Sequence, residues 1–198
     1  MRHHHLPPFI DASCRREPDL EAHFPAISAL CHTTHFAPRL QRGDQVAYMT
    51  CKFRLAPQAA CRYLVAILEI HERFESHAAA AEWYRAHGLP LPSNCLVEGN
   101  PPQPYEKTGG LRAADARRFC ARSGNRGAVR NWDAAYAARA SQCGVLLACR
   151  VLHRALHSPP ALTEAVLIEI FDRVPGTQNP PQIAKQQMRK LVALMRGH

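Results

Sequence analysis

Apolar residues come in short stretches along this chain, and most stretches stop at proline or glycine. Phe9-Ile10-Asp11-Ala12-Ser13 reads as a first strand, broken after it by Pro18. Residues 24–40 hold a short helical pattern, Ile27, Leu30 and Cys31, that ends near Pro38. Gly43-Asp44 is a turn signal, and Val46-Ala47-Tyr48-Met49-Thr50 follows as a strand. After a loop with Pro57, residues 63–70, Tyr-Leu-Val-Ala-Ile-Leu-Glu-Ile, are apolar and partly β-branched, which predicts a buried strand.

Ser76 has the chemistry of a helix cap. Ala79, Ala80, Trp83, Tyr84 and His87 then lie at helical spacing, Gly88 ends the helix and Pro90 prevents its continuation. Residues 89–110 carry five prolines, two asparagines and three glycines. That composition predicts a long structured loop, a kind of segment that often carries function. Residues 112–120 read as a short basic helix, interrupted by Ser123-Gly124-Asn125-Arg126-Gly127, and Trp132, Tyr136 and Arg139 suggest a further turn or two. A strand is expected from Gly144 to Leu152. Thr163 caps a helix running to Phe171, and Pro175-Gly176 breaks it. A final helix starts at Asn179-Pro180, with Ala184, Met188, Leu191 and Met195 on one face. Strands and helices are mixed without regular βαβ alternation, which favours an α+β fold: a small sheet or barrel with helices packed outside. The organisation expected is a flexible segment at 1–8, one domain over 9–178, and a C-terminal amphipathic helix over 179–198 that docks on it.

The 198 residues suffice to bury a core without metals or disulfides. No run approaches 18 apolar residues, so no membrane span is expected, and the polar, His-rich residues 1–8 do not read as an export signal. His3, His4 and His5 are left out of the site reading. Eight cysteines are scattered with no C-x-x-C pair, several inside apolar stretches such as Val145-Leu146-Leu147-Ala148-Cys149. They read as buried, reduced thiols in a cytoplasmic protein. The net charge of +9 is mostly arginine. It favours anionic partners such as phosphate backbones, the alternative being a solvated basic surface.

The ordered series of Phe9 to Ser13, the pattern from Ile27 to Leu40, Gly43-Asp44, Val46 to Thr50 and Leu64 to Ile70 resembles the PUA-like superfamily of EVE, YTH and ASCH domains. In these a "GD-x-V-x-Y" turn and strand follow the first helix, and an apolar strand like Val65 to Ile70 closes the barrel. Within that group the chain looks most like bacterial and phage nucleotide modification associated domains. The resemblance covers residues 9–74. It implies a small β-barrel that binds a nucleobase, often a modified one, in a pocket near the first strand.

Four sets of residues suit such a partner. Asp11, Ser13, Arg15 and Arg16 follow the first strand, where a carboxylate can accept from exocyclic amines and arginine can grip phosphate or guanine; a surface loop is the alternative. Ser93, Asn94 and Asn100 lie in the proline-stiffened loop, where asparagine can pair with a base edge or satisfy its own backbone. The aromatics Tyr48, Trp83, Tyr84, Tyr105, Trp132 and Tyr136 offer stacking surfaces, though a ring on a helix face is commonly core. Arginines 112, 117, 118, 122, 126, 130 and 139, with only Asp115 and Asp133 between them, form the densest basic stretch. The residues assigned to nucleic acid are therefore Asp11, Ser13, Arg15, Tyr48, Trp83, Ser93, Asn94, Asn100, Arg118, Arg122, Arg126 and Trp132.

Other chemistries have weaker support. Cys31-His32-x-x-His35 matches no usual zinc spacing, so no metal is expected, and no cofactor motif is present. Cys95 with His87, His77 or Asp133 would make a nucleophile and base only if the fold brought them together. The basic, amphipathic residues 185–198 suit a membrane surface or an acidic partner, or docking of their Met and Leu face on the domain, which is favoured. The expectation is a module that binds DNA or RNA through a nucleobase. An enzyme acting on a modified nucleotide, a hydrolase or glycosylase, and a protein-interaction module are the alternatives.

Overall fold

A computed structural model describes residues 18–29, 36–50, 52, 59–100, 137–176 and 181–197. The first strand expected at 9–13 and the basic stretch at 112–136 lie outside these residues. The fold is α+β. Among the described residues five strands, β1 (Ala26–Ser28), β2 (Gln45–Met49), β3 (Arg62–Phe74), β4 (Leu146–Arg154) and β5 (Ala161–Leu162), run in the order β1-β4-β3-β2, with β5 on β3. The pairings of β1 with β4, and of β2 and β5 with β3, are antiparallel. The α-helices among these residues are α1 (His77–Ala86), α2 (137–142), α3 (Glu164–Phe171) and α4 (Lys185–Arg196). None among the described residues is long and apolar enough to cross a membrane. The described residues divide into two compact units, those within 1–44 and 70–150, and those within 45–69 and 151–198.

In the first unit, α1 lies over a core of Ala26, Ala80, Ala81, Tyr84, Cys95, Leu146 and Ala148. The alanines let backbone approach backbone closely, and Tyr84 fills the remaining depth. Ser76 Oγ accepts from the Ala79 amide (3.1 Å), satisfying one of the donors a helix start leaves open. At the other end Leu89 N–H donates to Tyr84 O (2.9 Å) and Gly88 N–H to Arg85 O (3.0 Å). This closure needs a left-handed residue, and Gly88 supplies it at φ 65°. Gly144 is required for a different reason: a Cβ there would come within 2.8 Å of the Glu75 carbonyl oxygen.

The second unit packs α3 and α4 against β3 and β5. Its core is Leu64, Ile67, Leu162, Leu167, Ile170, Phe171, Met188, Leu191 and Met195. Thr163 Oγ1 accepts from Val166 N–H (3.3 Å), and Asp172 closes α3 in the left-handed region at φ 58°. Buried Thr50 and Tyr63 tie β2 to the start of β3, each backbone amide donating to an oxygen of the other residue (2.9 and 3.0 Å). Lys52 donates to the Glu164 carboxylate (2.9 Å), and this ion pair holds the carboxyl below its usual range.

Several boundaries differ from the sequence reading. Ile27 lies in a strand, not a helix: Pro25 precedes it, and pairing of Ala26, Ile27 and Ser28 with Ala148, Leu147 and Leu146 outweighs a three-residue helical spacing. β3 continues past Ile70 through His71, Glu72 and Arg73, because strand pairing satisfies the backbone whatever the side chain. β4 begins and ends two residues later than expected, and β5 carried no signal of its own. The last helix begins at Lys185, where Gln187 Oε1 accepts from Ala184 N–H (2.8 Å).

Leu191 is fully buried, whereas Ile168 on α3 is 52% exposed. Leu191→Ala is expected to cost about 2–5 kcal/mol in urea denaturation, and Ile168→Ala about 0.5 kcal/mol or less. Equal losses would show that α4 does not contribute its Met and Leu face to the core.

Candidate aromatic binding surface

In the first unit, the end of β3, the residue before Pro25 and the outer side of α1 bring five rings together. Trp83 is central. Its ring lies 5.3 Å from Phe24, 6.1 Å from His71, 5.7 Å from Phe74 and 4.3 Å from His87, centroid to centroid. Phe24 and His71 stack at 5.1 Å and 26°, and His23 meets Phe24 edge-on at 4.8 Å. Trp83, Phe24, His71 and Phe74 are half-buried, and His23 and His87 are exposed. The cluster therefore packs on one side and meets solvent on the other.

Its local causes are simple. Trp83 and His87 stand four residues apart on α1, so they share a face, and His87 Nδ1 is 2.8 Å from the Trp83 carbonyl oxygen. Beneath them Tyr84 faces inward. Its ring meets Trp83 edge-on at 5.1 Å, and its hydroxyl donates to Phe24 O (2.8 Å), fixing the chain that carries Phe24. Burial pushes the Tyr84 hydroxyl well above the ordinary tyrosine range, with Cys149 and then Cys95 adding to the effect. At the other margin, Arg150 Nη2 lies 3.3 Å from His71 Nδ1. A guanidinium only donates, so in this contact His71 Nδ1 is the acceptor. The result is a partly exposed π-surface with an arginine at its edge. Such a surface can stack a planar, electron-poor ring and hold an attached anion.

Of the residues expected to bind nucleic acid, Trp83 is at the centre of this surface. Ser93, Asn94 and Asn100 lie in the loop after α1, which is fastened from within. Asn94 is 1% exposed, and its Nδ2 donates to Ala26 O (2.7 Å). Asn100 Nδ2 donates to Pro92 O (2.8 Å) and Cys95 O (2.7 Å), and Ser93 is half-buried. Both amide nitrogens thus donate to backbone carbonyls within the fold. Leu96 N–H donates to His77 Nδ1 (3.0 Å), clamping the same loop to α1. Tyr48 is half-buried in the second unit. Asp11, Ser13, Arg15, Arg118, Arg122, Arg126 and Trp132 lie outside the described residues.

The residues that reading the sequence did not single out are Phe24, His71, Phe74 and Arg150. Only the pairing of β1 with β4 and the extension of β3 past Ile70 bring them to Trp83, and neither was visible in the pattern. The Trp83–His87 spacing was.

Cys95 is buried and its thiol donates to the His77 carbonyl (3.3 Å), a backbone group and not the imidazole. Cys61, Cys95, Cys143 and Cys149 form no disulfide, and all but Cys143 are buried. Among the described residues no group of three or more His, Cys, Asp or Glu side chains is arranged to hold a metal ion. No family model, curated protein or solved structure matches the chain.

The Tyr84 environment has a consequence for alkaline pH. A group kept neutral in the fold but free to ionise at about pH 10 when unfolded gives stability that is complete below pH 10 and lost as pH rises beyond it. Above pH 10 the unfolding free energy is expected to fall by up to about 1.4 kcal/mol per pH unit through this group. Tyr84→Phe should lower stability at pH 8 by about 1 kcal/mol, for the lost hydrogen bond, and flatten the alkaline decline. Denaturation curves from pH 8 to 11 test this, and parallel declines in the two proteins would contradict it.

Proposed function

We propose that this chain binds nucleic acid, DNA or RNA, by stacking an unpaired or flipped base on the Trp83 surface while basic side chains hold the adjoining phosphates. The observation that carries this reading is the half-exposed group of Phe24, His71, Trp83 and His87 with Arg150 beside it. Rings meant only for packing gain most from full burial. A stacking platform needs one open face, and base–aromatic stacking tolerates any sequence. The net charge of +9 supports the same partner, because phosphate neutralisation supplies most non-specific affinity. For the finer architecture we propose a small barrel of the PUA-like kind, supported by the antiparallel pairing around β3 and by the Gly43-Asp44 turn into β2. The strand at Ala26–Ser28 departs from the helix that this resemblance implies. A modified base is the ligand this resemblance favours.

Fluorescence anisotropy with short single- and double-stranded DNA and RNA, with and without modified bases, at two salt concentrations, tests the proposal. Binding is expected to weaken with salt. Trp83→Ala should lower affinity about 5- to 150-fold, the equivalent of about 1–3 kcal/mol, and Trp83→Phe should keep most of it. No binding to any probe, or equal binding by the alanine variant, would contradict the reading.

A further inference from the structure

Helix α4 carries a second feature that packing does not explain. It contains Lys185, Arg189, Lys190 and Arg196 and no acidic residue. At about 100° per residue, Lys185, Arg189 and Arg196 fall within about 40° of one another around the helix. They make one row along its length. All three are exposed, and none pairs with an acidic side chain among the described residues. Lys190 points elsewhere and donates to Glu169 O (2.9 Å), joining α4 to α3. Met188, Leu191 and Met195 occupy a different face and are buried in the second unit's core.

We infer that the row of Lys185, Arg189 and Arg196 is a phosphate-contacting edge for a nucleic-acid strand. This rests on the nucleic-acid reading above and adds to it a surface that holds the backbone without reading bases. The row covers about 16 Å of helix axis, the axial length of about five phosphates on one strand of a duplex. Charge complementarity is the ground for choosing this occupant. An anionic membrane would offer the same charge, but an interfacial helix also needs a free apolar face to insert. In α4 that face is already spent on Leu64, Ile67 and their neighbours.

The test is a salt titration of the full chain against one single-stranded and one duplex oligonucleotide, repeated with Lys185→Gln/Arg189→Gln/Arg196→Gln and with Arg189→Lys/Arg196→Lys. Glutamine and lysine keep the helix propensity, and an unchanged melting midpoint checks the fold. The glutamine variant should bind about 10- to 100-fold more weakly at low salt, alike for every base sequence. Its slope of log affinity against log salt should be smaller by about 2–3. The lysine variant should keep the wild-type slope. Unchanged affinity and slope in the glutamine variant would overturn this inference and leave base stacking at Trp83 standing. No oligonucleotide binding by wild type would overturn both. Binding to phosphatidylserine vesicles that the glutamine variant loses, without oligonucleotide binding, would assign the row to membranes instead.

Discussion

Burial of β3 on both faces is the constraint from which the described structure follows. Tyr63, Leu64, Val65, Ala66, Ile67 and Leu68 are all buried. Each large apolar side chain among them contributes on the order of 1.5–3 kcal/mol only if something covers it. Two consecutive buried faces need cover on both sides, and a buried backbone needs partners on both edges. β2 and β5 pair with this part of the strand, Thr50 meets the ends of Tyr63 with two hydrogen bonds, and Ala155 N–H reaches Val65 O at 2.9 Å. On the side-chain level Leu64 and Ile67 anchor the core that α3 and α4 complete.

The same strand then changes character. Residues 62–69 belong to one unit and 70–74 to the other. Past Ile70 the side chains are His71, Glu72, Arg73 and Phe74, all half-buried. Their ties are polar and modest: Arg42 with Glu72 at 3.3 Å, Arg73 with Glu75, and Arg73 Nη2 to Pro38 O at 3.4 Å. Exposed ion pairs of this sort contribute little to stability. Strand pairing keeps this end extended, and there His71 stacks on Phe24 and Phe74 sits by Trp83. The aromatic surface is thus a by-product of where β3 stops being apolar.

Local signals were legible wherever one residue decides a local geometry. Ser76 and Thr163 cap the helices they were expected to cap, and Gly88 closes α1 because few other residues enter the left-handed region at low cost. Residues 63–70 read as buried from composition alone. What could not be read were features set by distant partners. β1 is three residues long and is defined by Leu146 to Ala148, 118 to 122 positions away. Asn94 looked like a base reader by residue type, and its place against Ala26 O depends on a contact between segments 68 residues apart. The aromatic surface was half legible: Trp83 and His87 share a helix face by spacing, while Phe24, His71 and Arg150 arrive through strand pairing.

The most direct measurement of the central claim is ultraviolet cross-linking of the protein to a single-stranded oligonucleotide, followed by peptide mapping by mass spectrometry. If a base stacks on this surface, cross-links fall on Trp83 and Phe24, at zero distance and with free oligonucleotide competing them away. Cross-links confined to other peptides, with Trp83 and Phe24 unmodified, would show that the open ring faces serve packing alone and that any nucleic acid is held elsewhere.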